Sequence, residues 1–110
     1  MANIERYTYR VTWSEEDQEH VGLCAEFPSL SWLEENQGNA LSGIVKLVGD
    51  VVADLEKSGE TPPKPMSMKE YSGKFMTRVQ PYVHRKLALR AAEEGKSINS
   101  LVASLLAGGV

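Results

Sequence analysis

At 110 residues, 42% hydrophobic and 25% charged, the chain has the length and balance of one modest soluble domain, or of a small domain with an appended module. No apolar run approaches the ~20 residues that a bilayer span needs, and the opening MANIERYTYR lacks the apolar stretch of a secretory leader, so a cytoplasmic location is expected. A single cysteine, Cys24, excludes an intrachain disulfide and a cysteine-based zinc cluster. The net charge of −3 divides unevenly: residues 1–60 carry twelve acidic and four basic side chains, residues 61–110 three and eight.

In chain order, Tyr7 to Trp13 alternates large apolar with polar residues, the period of a half-buried strand. Ser14 to His20 is polar and mostly acidic, which predicts a hairpin loop. Val21, Leu23, Ala25 and Phe27 alternate again and predict a second strand stopped by Pro28, and Leu30 to Leu33 a short third. From Asn39 onward, Ala40, Leu41, Ile44, Val45, Leu47, Val48, Val51, Val52 and Leu55 recur at spacings of three and four. That is the stripe of a helix lying on a sheet. Asn36 is its expected N-cap and Gly59 its left-handed stop. Gly43 and Gly49 each weaken the helix by roughly 1 kcal/mol relative to alanine and leave room for the strands.

Prolines 62, 63 and 65 remove donors and favour extended backbone, so residues 61–73 read as a linker. Beyond it, Lys74 to Gln80 alternates once more, with Phe75, Thr77 and Val79 on one side and Lys74, Met76 and Arg78 on the other. Pro81 suits the first turn of a helix running to Glu94, with Val83, Leu87, Ala88 and Ala91 on its stripe. Gly95 ends it, and Ser97 caps a last helix carrying Ile98, Leu101, Val102, Leu105 and Leu106.

A strand followed by two helices is too small to bury a core alone, since chains below about 40 residues usually need a metal, a disulfide or oligomerisation. The economical solution is a twofold dimer whose strands pair antiparallel, giving a homodimer or a larger even-numbered oligomer. Its shared core would take Phe75, Val79, Leu87, Leu101 and Leu105. The paired ribbon would present both copies of Lys74, Met76 and Arg78, and a two-stranded ribbon fits the DNA major groove. Arg78 can donate twice to a guanine, Lys74 can reach guanine or phosphate, and Met76 can touch a thymine methyl. Ser97, Ile98 and Asn99 begin the last helix, whose free amides favour a phosphate, and Lys96, which bridges the two helices, is a fourth phosphate candidate.

These residues carry a resemblance. Lys74-Phe-Met-Thr-Arg-Val, Pro81-Tyr-Val-His-Arg-Lys-Leu and Glu94-Gly-Lys-Ser-Ile-Asn-Ser together are similar to ribbon-helix-helix repressors of the Arc and CopG kind. The whole chain, with its tyrosine-rich hairpin, Phe27-Pro28 stop, amphipathic helix and proline linker, resembles HicB-type antitoxins. The resemblance implies an α+β fold with three parts. Residues 1–60 would be a truncated ribonuclease H-like domain that neutralises HicA, a small basic toxin that degrades messenger RNA. Residues 61–73 would be a linker, and residues 74–110 a ribbon-helix-helix domain that dimerises and represses the operon by binding operator DNA. Thr77 on the inward side, Met76 on the readout side and Gln80 before the helix depart from the family pattern.

No enzyme, cofactor or metal is expected. Ribonuclease H chemistry needs a cluster of carboxylates around two metals, whereas Asp50 and Asp54 are merely one turn apart on a helix. His20 and His84 fall in unrelated segments, and no glycine-rich phosphate loop occurs. Two functions remain: an antitoxin with operator DNA and a toxin as partners, or a free-standing repressor whose first domain senses a ligand or assembles oligomers. The acidic first half favours the former, being complementary to a basic toxin.

Overall fold

The structure, a computed structural model, describes residues 3–110. The chain divides into two compact units, the first ending at Tyr71 and the second beginning at Ser72.

In the first unit a 3-10 turn at Ile4–Arg6 leads into β1 (Tyr9–Ser14), β2 (Glu19–Cys24) and β3 (Ser31–Glu34), followed by α1 (Gln37–Lys57). The sheet is antiparallel in the order β1-β2-β3, with Tyr9 opposite Cys24, Val11 opposite Gly22 and Val21 opposite Leu33. Gln18 closes the first hairpin with φ 54°, a left-handed conformation uncommon for a residue with a side chain. The expected helix signals hold. Asn36 Oδ1 accepts the Asn39 amide at 3.0 Å, and Gly59 follows the helix with φ 78°.

α1 covers the sheet face that hydropathy does not favour. Val21 and Leu23 are only half-buried, while Gly22 and Cys24, of opposite parity, are buried beneath the helix. The reason is distance. A Cβ on Gly22 would stand 2.5 Å from the Ala40 carbonyl oxygen and 2.8 Å from Ile44 Cγ2, so the glycine is what lets helix and strand approach. Gly43 serves the same purpose from the helix side, where the Trp32 indole occupies the space of its missing side chain. The core is Tyr7, Cys24, Ile44, Val48 and Val52, with Phe27 edge-on to Tyr7 at 5.4 Å between ring centroids.

Residues 61–71, expected to belong to a linker, are part of this first unit. Tyr7 Oη donates to the Pro63 carbonyl at 2.7 Å, and Ser67 Oγ donates to the Arg6 carbonyl at 2.7 Å. The Met66 amide donates to Glu26 Oε2 at 2.9 Å, just before a 3-10 turn at Met66–Met68, and Pro65 is buried. Prolines lack donors, but their carbonyls and neighbours remain able to bond. Composition marks the segment as non-helical without showing that it is tied down.

The second unit contains α2 (Pro81–Glu94) and α3 (Ile98–Gly109). Pro81 stands in the first turn, and Gly95 adopts φ 68° while the amides of Gly95 and Lys96 bond back to Ala92 and Ala91. Only Ala91 and Leu101 are buried between the helices. Residues 74–80 are not a strand but exposed chain without regular structure. A strand is defined by its ladder, and a single copy supplies no partner for this segment.

Candidate nucleic-acid interface

The three residues singled out for base contact, Lys74, Met76 and Arg78, lie on the exposed run before α2, and Met76 is 90% exposed. The four phosphate candidates run from the turn after α2 into the first turn of α3, Lys96 and Ser97 before the helix and Ile98 and Asn99 as its first residues. Ser97 Oγ accepts the Ser100 amide at 3.0 Å and so caps α3; Lys96 and Asn99 are exposed, and Ile98 is half-buried. Two cations of this unit are engaged. Arg90 Nε and Lys96 Nζ flank Glu94 at 2.6 and 3.7 Å. The hydrogen bond from Arg90 holds the Glu94 carboxyl below the usual range. Lys74, Arg78, Arg85 and Lys86 have no carboxylate partner among the described residues, and Lys86 Nζ lies 5.9 Å from the centroid of the Tyr82 ring. Arg90 is therefore paired within its own helix.

Of the five residues assigned to a shared dimer core, Leu101 is 2% exposed and Leu87 half-buried within one copy. Phe75 at 77%, Val79 at 49% and Leu105 at 43% are open to solvent. Tyr82, Leu89 and Leu106 add to the exposed apolar surface of this unit. Tyr82 and Leu89 escaped the sequence reading because they fall outside the Val83, Leu87, Ala91 stripe; their own spacing of seven was the available signal.

By side-chain count the first unit bears thirteen acidic and six basic groups, a net of −7, and the second two and six, a net of +4. Near the Pro63–Met66 segment, burial pushes the Glu26 carboxyl up, but hydrogen bonds from the amides of Met66 and Thr8, and from the Thr8 hydroxyl, outweigh it and leave Glu26 lowered. Burial, with Cys24 and Glu26 nearby, pushes the Tyr9 phenol up to about 12; it also raises the Cys24 thiol. These groups are held in protonation states suited to packing. Asp50 and Asp54 are exposed, and no cluster of three potential metal ligands exists among the described residues. No helix among them is long and apolar enough to cross a membrane.

The fold and site define an α+β protein: an acidic three-stranded sheet with one helix, and a basic helical pair. Residues 56–106, a little under half of the chain, match the model of the HicB family, an antitoxin family. The match joins the end of α1 to most of α3. No curated protein and no solved structure matches the chain.

Proposed function

We propose that the chain is the antitoxin of a type II toxin–antitoxin pair, whose first unit neutralises a HicA-like RNA-cleaving toxin and whose second unit dimerises and represses the operon by binding operator DNA. The observation that carries this reading is the HicB match over residues 56–106, set on a chain whose units have opposite charge. A basic RNA-cleaving enzyme is the electrostatic complement of the −7 unit. A polyanion is the complement of the +4 unit, where Lys74 and Arg78 precede α2 without a carboxylate partner among the described residues and Lys96 and Ser97 form the capped turn after it.

In this reading the exposed run 74–80 becomes a strand when a second copy supplies its ladder. Pairing would bury Phe75, Val79 and Leu105 with Leu87 and Leu101, and would turn Lys74, Met76 and Arg78 toward the groove, while Lys96, Ser97, Ile98 and Asn99 hold phosphate. Neutralisation works by covering the toxin, without catalysis by this chain.

Growth rescue tests it. Cells expressing the small basic protein encoded beside this gene should stop growing and recover when the chain is co-expressed, and the two should co-purify. Recovery without co-purification, or DNA binding with no toxin, would replace this reading with that of a free-standing repressor.

A further inference from the structure

We infer that the first unit takes its toxin on the face of the sheet opposite α1, by an apolar centre of Val21, Leu23 and Leu33 with an acidic border at the β1–β2 hairpin. The assignment rests on the antitoxin reading and adds to it the surface and the chemistry of the partner: a basic protein whose docking face has an apolar middle.

α1 occupies one face of the sheet, against Gly22 and Cys24. Strand residues alternate between faces, so Val21, Leu23 and Leu33 must point to the other. Val21 and Leu33 are direct cross-strand partners, with Leu23 two residues along the central strand. Among the described residues of the first unit, α1 is the helix that packs on the strands, and it does so from the Gly22 side. Leu33 stays 45% exposed. A three-stranded face of this length measures roughly 20 Å by 10–15 Å. That is the size of an interface centre, which needs a polar border to complete a stable footprint.

The border is present at one end. Glu15, Glu16, Asp17 and Glu19 lie in and beside the β1–β2 hairpin, and the end of β3 brings Glu35 to the same end of the sheet, while Glu34, of the same parity as Trp32, lies on the α1 side. None of these five border carboxylates is ion-paired among the described residues, since both ion pairs there belong to Glu94. Glu15 and Asp17 take side-chain hydrogen bonds from neutral donors: Trp13 Nε1 to Glu15 at 2.7 Å and Ser14 Oγ to Asp17 at 2.9 Å. Neutral donors fix the carboxylates in place and leave their charge uncancelled. Such a field repels nucleic acid and anionic membranes and attracts lysine and arginine. The exposed side of α1 offers no equivalent, because Lys46, Asp50, Asp54 and Lys57 mix the two signs along it, whereas the open face holds, among the described residues, one cation, Arg10 opposite Leu23, toward the end of the sheet away from the hairpin.

The test uses the full chain and the toxin encoded beside it. Leu33→Lys should weaken the complex tenfold or more, and Glu16→Lys with Glu35→Lys should slow association about tenfold and flatten its salt dependence. Lys46→Glu with Asp54→Lys, on α1, should change neither. Hydrogen exchange on the unaltered complex should show added protection in β2 and β3, which keeps the assignment testable if a variant fails to fold. If the unaltered chain does not bind the toxin, the antitoxin reading falls and the assignment with it. If it binds, but the open-face variants bind equally well and protection appears on α1, the assignment alone is overturned. It is also overturned if those variants change only the chain's own oligomeric state, which would make the face a contact between copies.

Discussion

The Glu26 carboxylate accepts the amides of Thr8 and of Met66, each at 2.9 Å, and so joins the start of the sheet to chain forty residues beyond Glu26. Because these bonds hold Glu26 below its ordinary 4.5, their contribution is full above that value and is lost as pH falls through the lowered folded-state value. As pH falls below about 4.5, thermal melts of the intact chain should lose stability. Glu26→Gln, which cannot titrate, should melt lower at neutral pH and show a shallower acid limb. An unchanged acid limb would mean that other carboxylates carry it.

The same segment decides where the first unit can be cut. A fragment ending at Glu60 loses the bonds to Pro63, Met66 and Ser67, each worth about 0.5–1.5 kcal/mol net. The fragment ending at Tyr71 should therefore be more stable by on the order of 2–3 kcal/mol in urea unfolding. Equal midpoints would show that the segment is a passive tether.

Gly22→Ala should be among the most damaging small substitutions in the sheet. Its methyl would meet the Ala40 backbone oxygen at 2.5 Å, and a backbone atom cannot swing aside as a side chain can. The expected cost is about 2–3 kcal/mol, as for an overpacked core, read from denaturant midpoints. Gly108→Ala, with nothing within 4 Å, serves as the control.

Val79→Asp separates a single-copy fold from a paired one. In one copy Val79 is 49% exposed, so aspartate would cost little. In a shared core it would bury an unpaired charge. Sedimentation of the full chain should show an even-numbered oligomer for the natural sequence and its loss in the variant. A monomer in both would overturn the pairing.

On DNA, Arg78→Ala should cost about 1–3 kcal/mol on the operator and relax sequence preference, since a bidentate base contact is lost. Lys96→Ala should weaken operator and scrambled duplex alike and reduce the salt slope by about one. Because Glu94 competes for Lys96 at 3.7 Å, Glu94→Gln should strengthen binding to both duplexes slightly. Titrations at several salt concentrations read all three. If Arg78→Ala weakened both duplexes equally, Arg78 would be a phosphate contact.

What was legible in the sequence is what neighbouring residues decide among themselves. Asn36, Gly59, Pro81, Gly95 and Ser97 mark helix ends through contacts a few residues long, and each sits where its chemistry placed it. The three strands were readable from alternation and turn residues in the same way. The covered face of the sheet was not, because the value of Gly22 lies in Ala40 and Ile44, which approach it only after folding. Nor was the anchored segment, since Tyr7 bonds to a proline carbonyl that composition counts as a breaker. At the candidate site the turn of Lys96 and Ser97 was readable. The pairing of Arg90 with Glu94 is equally local, four residues apart on one helix. The ribbon of residues 74–80 is another matter: its alternation is plain, yet its ladder would have to come from a different molecule.

With residues 61–71 held on the first unit and residues 74–80 taken up by the ribbon in a paired dimer, the chain left between the two is Ser72 and Gly73, which reaches roughly 7 Å at full extension. A leash that short has a kinetic meaning. Should two copies join through their second units, their first units would share a small volume, at an effective concentration in the millimolar range. A toxin released by one copy would then be recaptured by the other more often than it escaped. Lengthening the leash by Gly-Ser inserts after Gly73 should raise the escape rate without touching a single contact.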